Sequence, residues 1–277
     1  MKLRLATGPV SWGVDFADAP GNPPWTTVVD GVAGAGYRWM ELGPLGYLPP
    51  EADAELARRG IGITGGFVFE PLHDPARLPA TLATARAAAA RIARAGGRFL
   101  VIIDAVGGER AATAGRPDAP RLGRAGAAAL ARAVLEIAEI ARDHGLRPVV
   151  HNHAGTHIEF PDEVEPLLEL AELCLDTGHC AYAGADPVAL YRRWADRIPY
   201  LHLKDLDPAR RDGDFWGSVR AGAFRPLGEG VVDLVGLLAA LAEHGFDGWA
   251  VVEQDRSPGG DPVADLVASR RTLEALL

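Results

Sequence analysis

The chain is poor in cysteine. Only Cys174 and Cys180 occur in 277 residues, too few for a disulfide framework. Cys174 lies in an apolar run, where a buried reduced thiol is its expected role. No apolar run approaches the roughly 18 residues of a membrane-spanning helix. The opening MKLRLATGPV lacks the apolar segment and small-residue cleavage site of a secretory leader. Positive charge is not in surplus either. The net charge is −9, and an acidic surface repels phosphate backbones and anionic lipid, so nucleic acid and membrane are set aside as partners. No linker marks a second domain. These absences predict a soluble cytoplasmic protein with a single domain over residues 1–277.

What is present is a large apolar fraction, 48%, and a repeated junction. Gly36 precedes YRWMEL, Gly60 precedes IGITGGFVF, Gly96 and Gly97 precede RFLVIID, Gly145 precedes LRPVV, and Gly245 precedes FDGWAVVE. A glycine just past a helix takes the left-handed conformation that turns the chain back towards a sheet. Asp186-Pro187, Asp261-Pro262 and Asp233 read as helix starts, because Asp accepts orphan N–H groups and Pro has none to satisfy. Eight strands are expected, near 3–7, 37–42, 61–69, 99–103, 147–150, 173–175, 200–203 and 249–252. Eight strands alternating with helices predict an α/β fold, a closed (β/α)₈ TIM barrel. The turn TGPVSWG after the first strand is not the glycine-rich phosphate turn of a doubly wound sheet.

Several of these runs end in residues that bind metals or move protons. Asp176, His202 and Glu253 each end a different strand, and a barrel gathers such ends at its C-terminal mouth. Two carboxylates and an imidazole suit Mn²⁺, Co²⁺, Mg²⁺, Fe²⁺ or Zn²⁺. His151 completes a four-ligand set; His153 lies two residues on, facing the same side. One is expected as a ligand and the other as a substrate contact. His179 follows Asp176 in a turn and is a candidate for a substrate hydroxyl or for acid catalysis. Lys204 faces with His202, beside a metal or paired with Asp205. Trp12, Glu41, Glu70 and Asp104 also close strands and are candidate pocket residues, Trp12 by stacking on a sugar face. Three βα connections are long, 8–25, 105–123 and 206–230, as lids and binding loops often are. The last carries Phe215, Trp216, Arg220, Phe224 and Arg225, suited to cover a polar ligand. Arg110, Arg116, Arg220 and Arg225 are rim candidates for a phosphate contact, against the usual solvated role of loop arginines.

GPVSWGVDF, AGYRWMELGPLGYLP, HNHAGTHIEF, CLDTGHCAYAG, YLHLKDLD, PLGEGVVD and HGFDGWAVVEQD together resemble the xylose-isomerase-like sugar isomerase/epimerase superfamily, and within it the inosose dehydratase branch of inositol catabolism. The resemblance spans nearly the whole chain in order. It implies a divalent metal held by a Glu of strand five, an Asp of strand six, a His of strand seven and a Glu of strand eight. The last three fall on Asp176, His202 and Glu253, but the first falls on His151. In the resembled epimerases two metal-bound glutamates work on opposite faces of the substrate; here only Glu253 remains of that pair. The leading expectation is a metal-dependent isomerase or epimerase of a small polyhydroxylated carbonyl compound. It would remove an α-proton through a metal-stabilised enediolate, with Glu253 as base and His151, His179 and Lys204 as proton-handling partners. The alternative is an inosose-dehydratase-like lyase, which shares the first step. A nuclease like the superfamily's abasic-site endonuclease and a non-catalytic sugar-binding barrel rank lower. The expected partner is a small sugar or cyclitol, and a symmetric homo-oligomer is the base-rate assembly.

Overall fold

In the computed structural model, which describes residues 1–257 and 259–277, the apolar runs become strands. In chain order they are β1 (Lys2–Ala6), β2 (Trp39–Met40), β3 (Gly62–Ile63), β4 (Gly65–Glu70), β5 (Phe99–Asp104), β6 (Arg147–His151), β7 (Glu172–Asp176), β8 (Tyr200–Leu203), β9 (Asp205–Leu206), β10 (Phe224–Arg225) and β11 (Asp247–Val252). The helices are α1 (Trp25–Gly34), α2 (Ala52–Arg59), α3 (Leu78–Arg94), α4 (Gly108–Ala112), α5 (Arg124–Asp143), α6 (Pro161–Val164), α7 (Thr177–Tyr182), α8 (Pro187–Trp194), α9 (Phe215–Arg220), α10 (Leu234–His244) and α11 (Pro262–Leu276).

Seven strands form one parallel sheet in the order β1-β11-β8-β7-β6-β5-β4. The remaining gap is bridged by β2 and β3, which pair with each other. Thr7 N–H donates to the Trp39 carbonyl (3.2 Å), Glu41 N–H to that of Thr7 (2.9 Å), and Leu42 N–H to that of Gly65 (3.0 Å). The ring therefore closes with eight positions, the third split into β3 and β4 at Thr64. Gly65 is needed at that break, because a Cβ there would lie 2.4 Å from the Phe99 carbonyl oxygen.

Side-chain parity sorts the core into two shells. Phe99, Val101 and Ile103 of β5 fill the barrel interior with Val149, Cys174, Tyr200, Trp249 and Val251. Leu100, Ile102, Val150, Leu173, Leu175, Leu201, Leu203, Ala250 and Val252 belong to the larger shell that packs under the helices. Residues two apart share a face, so this parity aims whatever follows Val149, Cys174, Tyr200 and Val251 into the barrel mouth.

The helix boundaries obey local chemistry. Gly36, Gly60, Gly96, Gly145 and Gly245 all have φ between 63° and 84°. Asp186, Asp233 and Asp261 each accept a backbone N–H of the first helical turn. The long connections carry their own structure: a 3₁₀ turn at Pro9–Trp12, α4, and a β9–β10 antiparallel pair around α9. Asp205 anchors the last of them. Its carboxylate accepts the N–H groups of Leu206, Gly228, Gly230 and Val232 at 2.9–3.0 Å. That occupies Asp205 fully and leaves out the alternative in which Lys204 merely pairs with it. Among the described residues no helix is long and apolar enough to cross a membrane.

Candidate active site

Parity and register build the site in two layers. The parallel pairing sets Asp176 opposite His202 and His151 opposite Cys174. His151, Asp176, His202 and Glu253 each follow an interior residue by two positions and converge. One ligand atom from each lies within 4.8 Å of the others. His202 Nδ1 is 3.0 Å from Glu253 Oε1 and 3.2 Å from His151 Nε2, which is 3.6 Å from Asp176 Oδ2. All four side chains are buried. Two residues further on, the same parity delivers the next layer: His153, Lys204 and Asp255.

The Asp-Thr-Gly-His turn has a physical reason at every position. Asp176 caps α7 by accepting the His179 N–H at its Oδ1 (2.8 Å). Thr177 ties β7 to β8: its hydroxyl donates to the Lys204 carbonyl (2.7 Å) and accepts the Lys204 N–H (2.9 Å). Gly178 leaves room for the Lys204 stem, since a Cβ there would meet it at 2.7 Å. His179 then lies over His153, with ring centroids 3.8 Å apart. Asn152 continues the β6–β7 ladder. It accepts the Asp176 N–H (2.9 Å) and donates to the Asp176 carbonyl (3.0 Å).

Asp176 Oδ2 is buried and has no hydrogen-bond partner. An ionised oxygen left so is costly unless a cation meets it. Burial raises the Asp176 and Glu253 carboxyls, but Lys204 with His151 outweighs it at Asp176, and His202 with Lys204 at Glu253, so both are held below the usual carboxylate range. Burial opposes charge on His202, yet the carboxylates of Glu253 and Glu41 drive it well above its ordinary value. The centre thus favours positive charge. Beneath it His202 Nε2–H donates to Glu41 Oε1 (3.3 Å), which turns Nδ1 towards the cluster, the way a ligand histidine is commonly oriented. The set of two nitrogens and two carboxylate oxygens fits a divalent metal of the Mn²⁺, Co²⁺, Mg²⁺, Fe²⁺ or Zn²⁺ group. Cys174 lies close to His151 and His202, but burial pushes its thiol up to about 12, leaving it protonated.

Lys204 Nζ contacts Asp255 Oδ1 (2.5 Å), His179 Nε2 (3.1 Å) and Glu253 Oε1 (3.2 Å). Burial disfavours its charge, but Asp255, Asp176 and Glu253 raise it well above a free lysine. Burial pushes His153 down to about 3, helped by the charges of His151 and Lys204, and His179 falls in the same direction. At neutral pH both are neutral rings. A cavity opens above, walled by Phe67, Phe69, Ile103, Phe215 and Trp216, with Asp15 at one side.

The cavity holds His151, His153, His179, His202, Lys204, Trp216, Glu253 and Glu41, all candidates from the sequence. Glu41 is tied down, however, bonding the Tyr200 hydroxyl (2.9 Å) as well as His202, so it orients the floor. Three candidates lie elsewhere. Glu70 and Asp104 have the wrong parity: Phe69 and Ile103 face the cavity and the next residue faces away. Glu70 lines an outer hollow that adjoins the cavity and shares Asp15, Phe67 and Phe69 with it. Asp104 is a buried clasp accepting from Leu72 N–H, His73 Nδ1, and both N–H and Nδ1 of His157. Trp12 is turned outward by the 3₁₀ turn and packs on Gly31 of α1. Three of the four phosphate candidates are engaged: Arg110 is buried with Glu159 and Glu163, Arg116 pairs with Asp118 and Arg225 with Glu229, while Arg220 is exposed at the end of α9. Sequence reading missed Asp15, Asn152, Asp255, Phe67 and Phe69. Asp255 was accessible from parity, two residues after Glu253; Asp15, in an irregular loop, left no periodic signal.

Residues 29–276 match the family model described as xylose isomerase-like TIM barrel, and the chain belongs to that family. It is similar to an inosose dehydratase of Geobacillus kaustophilus (strain HTA426), 33% identical over 274 residues, which cover 92% of this chain and 88% of that protein. Among solved structures, D-allulose 3-epimerase from Methylomonas sp. superposes with a TM-score of 0.76 at 19% identity, covering 100% of this chain and 98% of the other. The IOLI protein, solved with a binding zinc atom, superposes with 0.75 at 14%, covering 99% and 97%. At these identities the two structures speak to the fold.

Proposed function

We propose that this protein is a divalent-metal-dependent dehydratase of a small, neutral, polyhydroxylated cyclic ketone of the inosose class. The observation that carries this reading is the make-up of the buried cluster. It holds one glutamate, Glu253, with His151 in the position where the resembled epimerases have a second. Epimerisation needs a base on each face of the carbon; dehydration needs one base and one acid. The 33% identity to an inosose dehydratase over most of both chains supports the same reaction.

His151, Asp176, His202 and Glu253 would hold the ion. When bound, it would polarise the ketone oxygen and stabilise the negative charge that develops as the α-proton leaves. Glu253, held anionic, removes that proton. The aromatic walls and the loop carrying Phe215 and Trp216 exclude water. His179 and His153, being neutral, act as hydrogen-bond partners, which corrects the expectation of His179 as an acid. The acid is Asp15. Burial, then the charge of Asp255, pushes its carboxyl up to about 7, so it carries a proton near neutrality and can deliver it to the departing hydroxide.

This assigns a sign to the pH dependence. The protonated form of Asp15 is the active one, so dehydration is full below pH 7 and declines as the pH rises through about 7. Asp15→Asn, which cannot donate a proton, should lower kcat by about 10²-fold and abolish that alkaline limb. An unchanged limb in the variant would assign the acid elsewhere.

Isomerisation or epimerisation, the leading expectation from the sequence, is the second reading. Neutral His153, in the cavity, is the base it would require on the far face. NMR in D₂O separates the two. Metal-loaded protein incubated with inososes and with D-allulose, beside a chelated control, should yield an unsaturated or diketone product from an inosose. An isomeric product carrying deuterium next to the carbonyl would instead establish the epimerase.

A further inference from the structure

Asp255 is not among the four residues of the metal cluster, and in the mechanism above it enters only through its charge on Asp15, not as a contact to substrate. Its side chain lies in the cavity wall and the residue is only 6% exposed. Its two oxygens are used unequally. Oδ1 accepts from Lys204 Nζ at 2.5 Å. Oδ2 is buried and has no hydrogen-bond partner. Asp15 is near enough to feel its charge, yet makes no hydrogen bond to it. Lys204 Nζ is already spent on Oδ1, with Glu253 Oε1 and the His179 ring beside it, and makes no hydrogen bond to Oδ2. A buried acceptor without a donor costs about 1–3 kcal/mol, and proteins rarely leave one so unless a ligand or water completes it. The missing group must be a donor, because a carboxylate only accepts.

We propose that Asp255 reads a substrate hydroxyl: its free Oδ2 accepts a hydrogen bond from one ring hydroxyl of a neutral polyol, while its Oδ1 holds the Lys204 ammonium in place. The inference builds on the polyol reading above but does not depend on which reaction follows. The neighbouring carboxylate of Glu253, and the acceptor-only Oδ2 itself, repel an anionic group, so the ligand class is the unphosphorylated polyol. A site built around a hydroxyl donor rejects the analogue that lacks it far more strongly than an apolar pocket rejects a missing methylene.

The test is binding to metal-loaded protein, measured by calorimetry with an inosose, D-allulose and the monodeoxy analogues of each. For at least one parent compound, wild type should bind a single deoxy analogue about tenfold or more weakly than the parent. Asp255→Ala should bind the parent more weakly and treat parent and that analogue alike within about twofold. Asp255→Asn, which keeps the shape, should show an intermediate preference, and serves if the alanine variant does not fold. Bound metal, measured alongside, should be unchanged in both variants, which a collapse of the site would not permit. Equal discrimination by wild type and variants at every hydroxyl would overturn the proposal, as would the absence of polyol binding. Normal discrimination without an unsaturated or diketone product would sink the dehydratase reading and leave Asp255 standing. Dehydration without an Asp255-dependent hydroxyl would do the reverse.

Discussion

Replacing Asp176 with Asn should remove bound metal and activity together. The variant is informative because the two oxygens of Asp176 have separate tasks. Oδ1 caps α7 through the His179 N–H at 2.8 Å, and Asn keeps an acceptor for that bond. Oδ2, which has no partner, is the atom lost to the cluster. The cap, whose removal by alanine would cost about 1 kcal/mol, is therefore retained while a ligand is lost. The stabilisation a metal gives to developing charge is worth several kcal/mol, so activity should fall on the order of 10³-fold. Elemental analysis, circular dichroism and turnover on the same preparation decide it. A folded, metal-free Asp176→Asn protein with full activity would end the metal-dependent reading.

Glu253→Gln should separate ligand from base. Glutamine keeps the shape and one oxygen, and His151, Asp176 and His202 remain, so the ion should bind more weakly but be restored by excess metal. Proton abstraction should not be restored. Removing a general base costs about 10²–10⁴-fold, so wash-in of deuterium at the α-carbon should fall by that factor even at full occupancy. Wild-type exchange in the metal-saturated variant would move the base to another group, with His153 next in line. The variant also removes an anion beside Lys204. Asp255 at 2.5 Å and Asp176 at 3.6 Å still face that ammonium, so the network should survive.

The agreement between sequence and structure follows the strength of local signals. Glycines at helix ends and Asp-Pro starts are dictated by φ and by orphan N–H groups, and each lies where the motif predicts. The eight strand positions were legible because apolar runs bounded by such punctuation have few alternatives. The convergence of His151, Asp176, His202 and Glu253 was legible for the same reason: a barrel leaves strand ends nowhere else to go. Glu70 and Asp104 were misjudged by one residue, and period-two alternation explains both. Phe67 and Phe69 face inward, as do Phe99, Val101 and Ile103, so the residue after each last inward position must point out.

By itself, then, the sequence determined the (β/α)₈ architecture, the strand ends that carry chemistry and the identity of the four clustered donors, because hydrophobic period and capping chemistry act over a few residues. Tertiary structure alone decided which neighbours those groups meet. It paired Lys204 with Asp255 across 51 residues and gave Asp205 to the backbone of the loop beyond. It closed Arg110 in with Glu159 and Glu163, and turned Trp12 onto α1. It also left Asp176 and Asp255 each with one oxygen unmet. Those outcomes depend on the three-dimensional approach of distant segments and on the low dielectric it creates, where a charge finds its partner or stays unsatisfied. No spacing along the chain encodes them.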